Sequence, residues 1–162
     1  MEIEVTVQDG REASDDDEVP PSSAFTSWAN LAAATLSGES QLTIRVVDPL
    51  ESQQLNLQYR GKDKPTNVLS FAYADDEMLS EVISGHLLGD LVICADIVRQ
   101  EAADKQCPVN NHWAHLTIHG VLHLLGYNHE TQQQAEEMEA LEISLLASIN
   151  INNPYEATHK QQ

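Results

Sequence analysis

The chain has 162 residues, 41% of them apolar, two cysteines (Cys94 and Cys107) and a formal charge of −18. Length and apolar share suit a single domain with its own core and exclude wholesale disorder. The cysteines form no CxxC pair, so neither a disulfide framework nor a sulfur-based zinc site is indicated, and the charge argues against free binding to polyanions such as nucleic acid or anionic membranes.

The N-terminus, MEIEVTVQDG, lacks the positive region and apolar run of a signal peptide. No stretch approaches the ~18 apolar residues that span a bilayer. A reduced cytoplasmic setting is expected. Residues 2–8 alternate Ile3, Val5 and Val7 with polar residues and predict a half-buried strand. An acidic loop ending in Pro20 and Pro21 follows. Ser22 or Ser23 is then placed to cap a helix to about Leu36, with Phe25, Trp28, Leu31, Ala32 and Thr35 at helical spacing and Gly38 as its stop. Residues 41–48 predict a second strand. Asp48 or Ser52 can cap a short helix whose apolar candidates are Leu50, Leu55 and Leu57. YRGKDKPT, residues 59–66, is an irregular loop by its Gly and Pro.

Residues 67–74 predict a third strand, and residues 86–96 hold a fourth, interrupted at Gly89, where a bulge or a close backbone approach is expected. Asp96 to about Gln106 predicts a helix. Another begins at Asn110 or Asn111 and runs to Leu125. Thr131 opens the last one through a capping box with Gln134, and Met138, Leu141, Leu145 and Ile149 form its buried stripe. The whole predicts one α+β domain over residues 1–152: a small mixed four-stranded sheet with about five helices and a metal site at the end of a central helix. Residues 153–162 read as a flexible tail.

Charge is uneven along the chain. Acidic groups crowd residues 9–18 and 136–142, where Glu136, Glu137, Glu139 and Glu142 fall. Against them, Arg60, Lys62 and Lys64 make a basic island within five residues. Such an island is either a solvated turn or a phosphate-binding group, arginine being the side chain best suited to bidentate phosphate contacts.

HGVLHLLGYNH, residues 119–129, holds three histidines. His119 and His123, four apart, share one helix face. Gly126 stands where a helix can end, because glycine enters the left-handed conformation cheaply. A chain turned back there brings His129 in from another direction. Three neutral imidazoles plus water make a zinc site with one open position, able to activate water and polarise an acceptor oxygen. Imidazole also suits nickel, copper and iron. The same spacing occurs in metzincin proteases, but their motif begins His-Glu and here the second residue is Gly120, so the peptidase general base is missing from its expected place.

HGVLHLLGYNH, with YRGKDKPTNVLSF (59–71) and LLGDLVIC (87–94), resembles the YbeY family of bacterial endoribonucleases, or rRNA maturation factors, over about residues 41–149. The resemblance implies one zinc ion on His119, His123 and His129, and a functionally important Arg60. It implies a single-strand-specific, metal-dependent ribonuclease acting in small-subunit ribosomal RNA maturation and ribosome quality control. The implied partners are RNA, the small ribosomal subunit and its proteins, and an Era-type GTPase. Arg60 would bind the scissile phosphate, with Lys62 and Lys64 holding the strand. Cleavage could proceed by water attack or by 2′-OH attack, leaving different ends. The acidic faces would meet basic ribosomal proteins, which reconciles the charge with an RNA substrate.

The chain departs from the family at Asn128, where the usual residue is Asp. If that residue orients a ligand by its charge, Asn weakens it; if it is a hydrogen-bonding turn residue, Asn replaces it well. His115, one turn before His119, could contact a ligand, touch substrate or be a partly buried helix histidine. Asp90 could bond a ligand, act as base or be a bulge residue. Ser70 reads as a strand residue more than a phosphate contact. His86, His112 and His159 fit no ligand spacing, and Trp28, Trp113 and Phe71 are expected in the core. Two other classes stay open: a metallohydrolase of another substrate class, such as a peptidase, and a non-catalytic assembly factor with structural zinc.

Overall fold

The structure is a computed structural model that describes residues 1–12, 19–72 and 87–155. Residues 73–74 of the third predicted strand, His86, His159 and most of the first acidic group lie outside the described residues. The four strands are β1 (Glu2–Asp9), β2 (Glu39–Val47), β3 (Val68–Ala72) and β4 (Leu87–Cys94). They lie in the order β1-β2-β4-β3. β1, β2 and β4 run parallel, and β3 is an antiparallel edge paired to β4 from Val68↔Ile93 to Ala72↔Gly89. The helices are α1 (Ser22–Ala32), α2 (Pro49–Arg60), α3 (Ala95–Lys105), α4 (Val109–Leu124) and α5 (Gln132–Ala147). This is the mixed α+β domain that the alternating patterns predict.

Residue alternation along the strands sends side chains to two unlike faces. Leu42, Ile44, Leu91 and Ile93 share one buried cluster with residues of α1, α4 and α5, Phe25 and Trp113 among them. Phe25 and Trp113 meet edge to face, with centroids 5.7 Å apart. Such a contact contributes about 0.5–1.5 kcal/mol beyond the area it buries. Val47, Leu69, Val92 and Cys94 form the smaller second core, packed by Leu55 of α2. No helix among the described residues is long and apolar enough to cross a membrane.

Several local expectations change. Neither Ser22 nor Ser23 caps α1; Pro21 takes that position with no side-chain cap, and the helix stops at Ala32, leaving Leu36 43% exposed. α4, expected to begin at Asn110 or Asn111, begins at Val109 after Pro108 with no side-chain cap. On α2, Asp48 is the cap, its carboxylate accepting from the Glu51 amide at 3.0 Å. Leu50 and Leu57 are exposed, and Ser52 and Asn56 are buried instead. The reason is hydrogen bonding. Ser52 Oγ donates to the Thr66 carbonyl at 2.9 Å and Asn56 Nδ2 to the Lys64 carbonyl at 2.8 Å, so polar residues tie the following loop to the helix. The capping box at Thr131 and Gln134 forms as predicted.

Candidate metal centre

α4 is buried along most of its length, and two glycines let it lie close to the sheet. A Cβ on Gly120 would stand 2.7 Å from Leu91 Cδ2. A Cβ on Gly89 would stand 2.3 Å from the Phe71 carbonyl oxygen and 2.9 Å from Leu124 Cδ2, and Gly89 has φ +154°. Leu88 is the extra residue of a bulge there, since Gln41 pairs with Leu87 and Leu42 with Gly89. Both readings of the interrupted strand therefore hold: a bulge and a close approach.

Along one side of α4, His112, His115, His119 and His123 form a stripe, the first two buried and the last two partly exposed. The helix ends as its glycine predicts. Gly126 has φ +106°, its amide donates to the His123 carbonyl and the Tyr127 amide to the Leu122 carbonyl, both at 3.0 Å. That pair of bonds is a Schellman cap. The reversed chain returns His129 to the helix end. Ring centroids are 4.6 Å apart for His119 and His123, 4.9 Å for His123 and His129, and 5.8 Å for His119 and His129. One ring nitrogen from each lies within 4.8 Å of the others. No fourth His, Cys, Asp or Glu joins this trio among the described residues. His129 is exposed and the other two are partly so.

Electrostatics favour ligation. Burial, then the charges of His119 and His129, pushes His123 down to about 4, so it is a neutral donor at neutral pH. Three imidazoles converging at an accessible surface fit a divalent transition ion with an open position.

Behind the trio lies a group that the sequence reading missed. Glu142 of α5 has no solvent exposure. Its Oε2 is 2.9 Å from His119 Nδ1, and its Oε1 is 2.6 Å from His115 Nε2. The Tyr155 hydroxyl donates to Oε1 at 2.5 Å. Burial alone would raise the Glu142 carboxyl; the bonds from His115, His119 and Tyr155 outweigh it and bring the group down to about 2. An ionised carboxylate only accepts, so His119 Nδ1 carries the proton and Nε2 is left for an ion. Glu142 therefore leaves the exposed acidic face expected at 136–142, while Glu136, Glu137 and Glu139 stay exposed. No spacing rule links 142 to 119; the faint signal was an acid on the buried stripe of α5, one turn after Met138.

His115 is only 6% exposed, so the structure puts it behind His119, against Glu142. His112 is buried too, with Nε2 2.8 Å from a Glu101 oxygen, and Asn67 Nδ2 donates to the same oxygen at 3.0 Å. A cavity of about 410 Å³ opens beside His119, bordered by Asn67, Glu101, His112, His115 and Tyr155. Asn128 Oδ1 faces the Glu130 amide at 3.5 Å, the pattern of a turn residue. Ser70 is a strand residue whose Oγ donates to the Gly120 carbonyl at 3.4 Å. Asp90 lies in β4 just after the bulge, partly buried.

The basic island stands apart. Arg60 is the last residue of α2 instead of a loop residue, and Gly61 in the left-handed conformation ends the helix after it. Arg60, Lys62 and Lys64 are all exposed. No hydrogen bond or ion pair joins them to the histidines among the described residues. The link runs through the edge strand: the Tyr59 ring meets Phe71 at 5.1 Å, Phe71 pairs with Asp90, and neighbouring Gly89 touches Leu124. Arg60 and the C-terminal end of α4 thus share one end of the sheet.

Comparison with known proteins agrees with this architecture. The family model described as Endoribonuclease YbeY matches residues 11–150. The solution structure of TM1509 from Thermotoga maritima is similar over 93% of this chain and 95% of that one, with a TM-score of 0.54 and 21% identity. At that identity the likeness speaks for the fold.

Proposed function

The chain belongs to the YbeY endoribonuclease family, and on that premise we propose that it is a zinc-dependent enzyme that cuts single-stranded RNA, acting in the cytoplasm in maturation and quality control of the small ribosomal subunit. The observation that carries this reading is the convergence of His119, His123 and His129 on one accessible point with no fourth protein ligand among the described residues. Structural zinc sites are usually closed by four protein ligands, whereas three leave room for chemistry.

A zinc ion held there would lower the pKa of water and polarise a phosphoryl oxygen. The chain's own groups do the rest. His123 and His129 complete the ligand set, and His119 presents Nε2 because its Nδ1–H is engaged with Glu142. Arg60 binds the scissile phosphate and offsets its developing charge, with Lys62 and Lys64 holding the strand. RNA laid across the edge strand would run from Arg60 over the histidines toward the cavity beside His119. Exposed Glu136, Glu137 and Glu139 suit basic partners such as small-subunit proteins, and an Era-type GTPase is a further partner to test.

A peptidase reading is disfavoured by packing as well as by sequence. The Cβ direction at 120 points at Leu91, so a glutamate there would be driven into the core.

Labelled single-stranded RNA should be cleaved by zinc-restored protein and left intact by metal-stripped protein and by His123→Ala. Cleavage that is equal in wild type and variant, or absent from both, would remove the intrinsic ribonuclease reading. A 2′,3′-cyclic phosphate at the cut end assigns attack to the 2′-OH; an ordinary phosphate assigns it to water.

A further inference from the structure

We propose that Glu142 is the positioning residue for the metal ligand His119, and that Tyr155 and His115 clamp Glu142 in the rotamer that does so. The inference rests on the metal reading above. Its ground is the division of labour between the two carboxylate oxygens. Oε2 meets His119 Nδ1 at 2.9 Å. Oε1 takes His115 Nε2 at 2.6 Å and the Tyr155 hydroxyl at 2.5 Å. One oxygen is anchored by two donors from separate parts of the chain, and the other is turned toward the ligand.

The protonation states close consistently. With Glu142 ionised, His115 must donate through Nε2, which leaves Nδ1 as a bare acceptor. His115 Nδ1 is indeed buried with no hydrogen-bond partner. Burial pushes His115 down, partly opposed by Glu142, which disfavours the charged ring. His115, Glu142 and His119 are themselves close enough to hold an ion. Their facing atoms are already joined by hydrogen bonds, however, so we read them as the support of one ion, not a second site.

Tyr155 gives the C-terminal segment a task. After α5 the chain turns at Asn150, with φ +66°. The Tyr155 amide donates to Asn153 Oδ1 at 2.8 Å, which fixes the turn that carries the phenol. Within residues 153–162, expected to form a flexible tail, Tyr155 places its hydroxyl on the carboxylate behind the metal site. A hydrogen-bonded carboxylate fixes the tautomer and ring orientation of a ligating histidine and raises its basicity. Glutamine has the same shape but carries two N–H donors on one arm, so it cannot accept from His119 and from the His115–Tyr155 pair at once.

The test compares full-length wild type with Glu142→Gln and Tyr155→Phe. Zinc affinity is measured by competition with a chromophoric chelator, the ligand field by the cobalt d–d spectrum, and folding by the thermal midpoint of the metal-free protein. Glu142→Gln is expected to bind zinc roughly 10–100-fold more weakly and to shift the cobalt bands, and Tyr155→Phe to lose about tenfold, the low end of that range. Glu142→Asp, which keeps the charge, should recover part of the loss. A folded Glu142→Gln with zinc affinity within about twofold of wild type and unchanged cobalt bands would overturn the proposal. Should Glu142→Gln not fold, Tyr155→Phe decides: wild-type affinity and spectrum there overturn it. Wild type that takes up neither metal brings down the metal reading itself, a result distinct from either.

Discussion

The four histidines of α4 lie on one stripe, yet its two halves differ. His112 and His115 are buried, and each is bound to a carboxylate, Glu101 and Glu142. His119 and His123 are half-open and face His129. Spacing along the helix does not separate the pairs; burial and the approach of His129 do. A buried imidazole needs a fixed partner for its ring N–H, whereas a ligand needs a free nitrogen lone pair aimed at a common point. His119 belongs to both halves, with one nitrogen toward Glu142 and the other toward the trio.

The largest expected effect sets the halves against each other. His123→Ala should abolish tight zinc binding and lower RNA cleavage by more than ~100-fold. His112→Ala should lower the thermal midpoint yet keep zinc binding, because what it loses is packing and the Glu101 bond. Equal zinc loss in both would erase the distinction. Next comes the seat of the open half. Gly89→Ala forces a methyl against the Phe71 carbonyl and Leu124 in a backbone region that suits glycine. Denaturant titration should show a loss of roughly 2–4 kcal/mol, combining overpacking with backbone strain.

A pH series sharpens the comparison further. His123 is held down to about 4 when folded. Below its ordinary value near 6.5 the unfolded chain takes up a proton that the native site refuses. The stability this group contributes is therefore complete above about 6.5 and is lost as pH falls from there toward 4. After discounting for partial exposure, metal-free protein should lose about 1–2 kcal/mol from this residue. His123→Gln should flatten that part of the curve. The smallest effect belongs to Asn128→Asp. If residue 128 serves as a turn acceptor, zinc affinity should stay within about twofold; a marked gain would mean that charge at this place orients a ligand.

The trio was legible in sequence because its geometry is local. Helix spacing, one glycine that ends the helix and one returning histidine are all contained in residues 119–129. Gly89 was legible for the same reason, as a glycine inside a strand. Glu142 was not, since its partners lie 23 and 27 positions away and it sits beside three exposed acids. The inward face of α2 was misjudged because side-chain hydrogen bonds to its own following loop, made by Ser52 and Asn56, outweighed the pull of Leu50 and Leu57 toward the core. The placement of Arg60 relative to the histidines depends on how β3 pairs with β4, and no local pattern encodes that pairing.

The close contact of Gly120 with Leu91 also bears on the evolutionary reach of the scaffold. A glutamate beside the first histidine is one codon's difference from glycine on paper. Here its Cβ would start 2.7 Å from a core leucine, so the acid would gain a place only after strand β4 had first given up that leucine. Each change made alone carries a penalty, the first an overpacked, charged core and the second a cavity. A glutamate at 120 is therefore expected to be better tolerated beside a smaller residue at 91 than beside Leu91, which a thermal midpoint of the single and double variants checks.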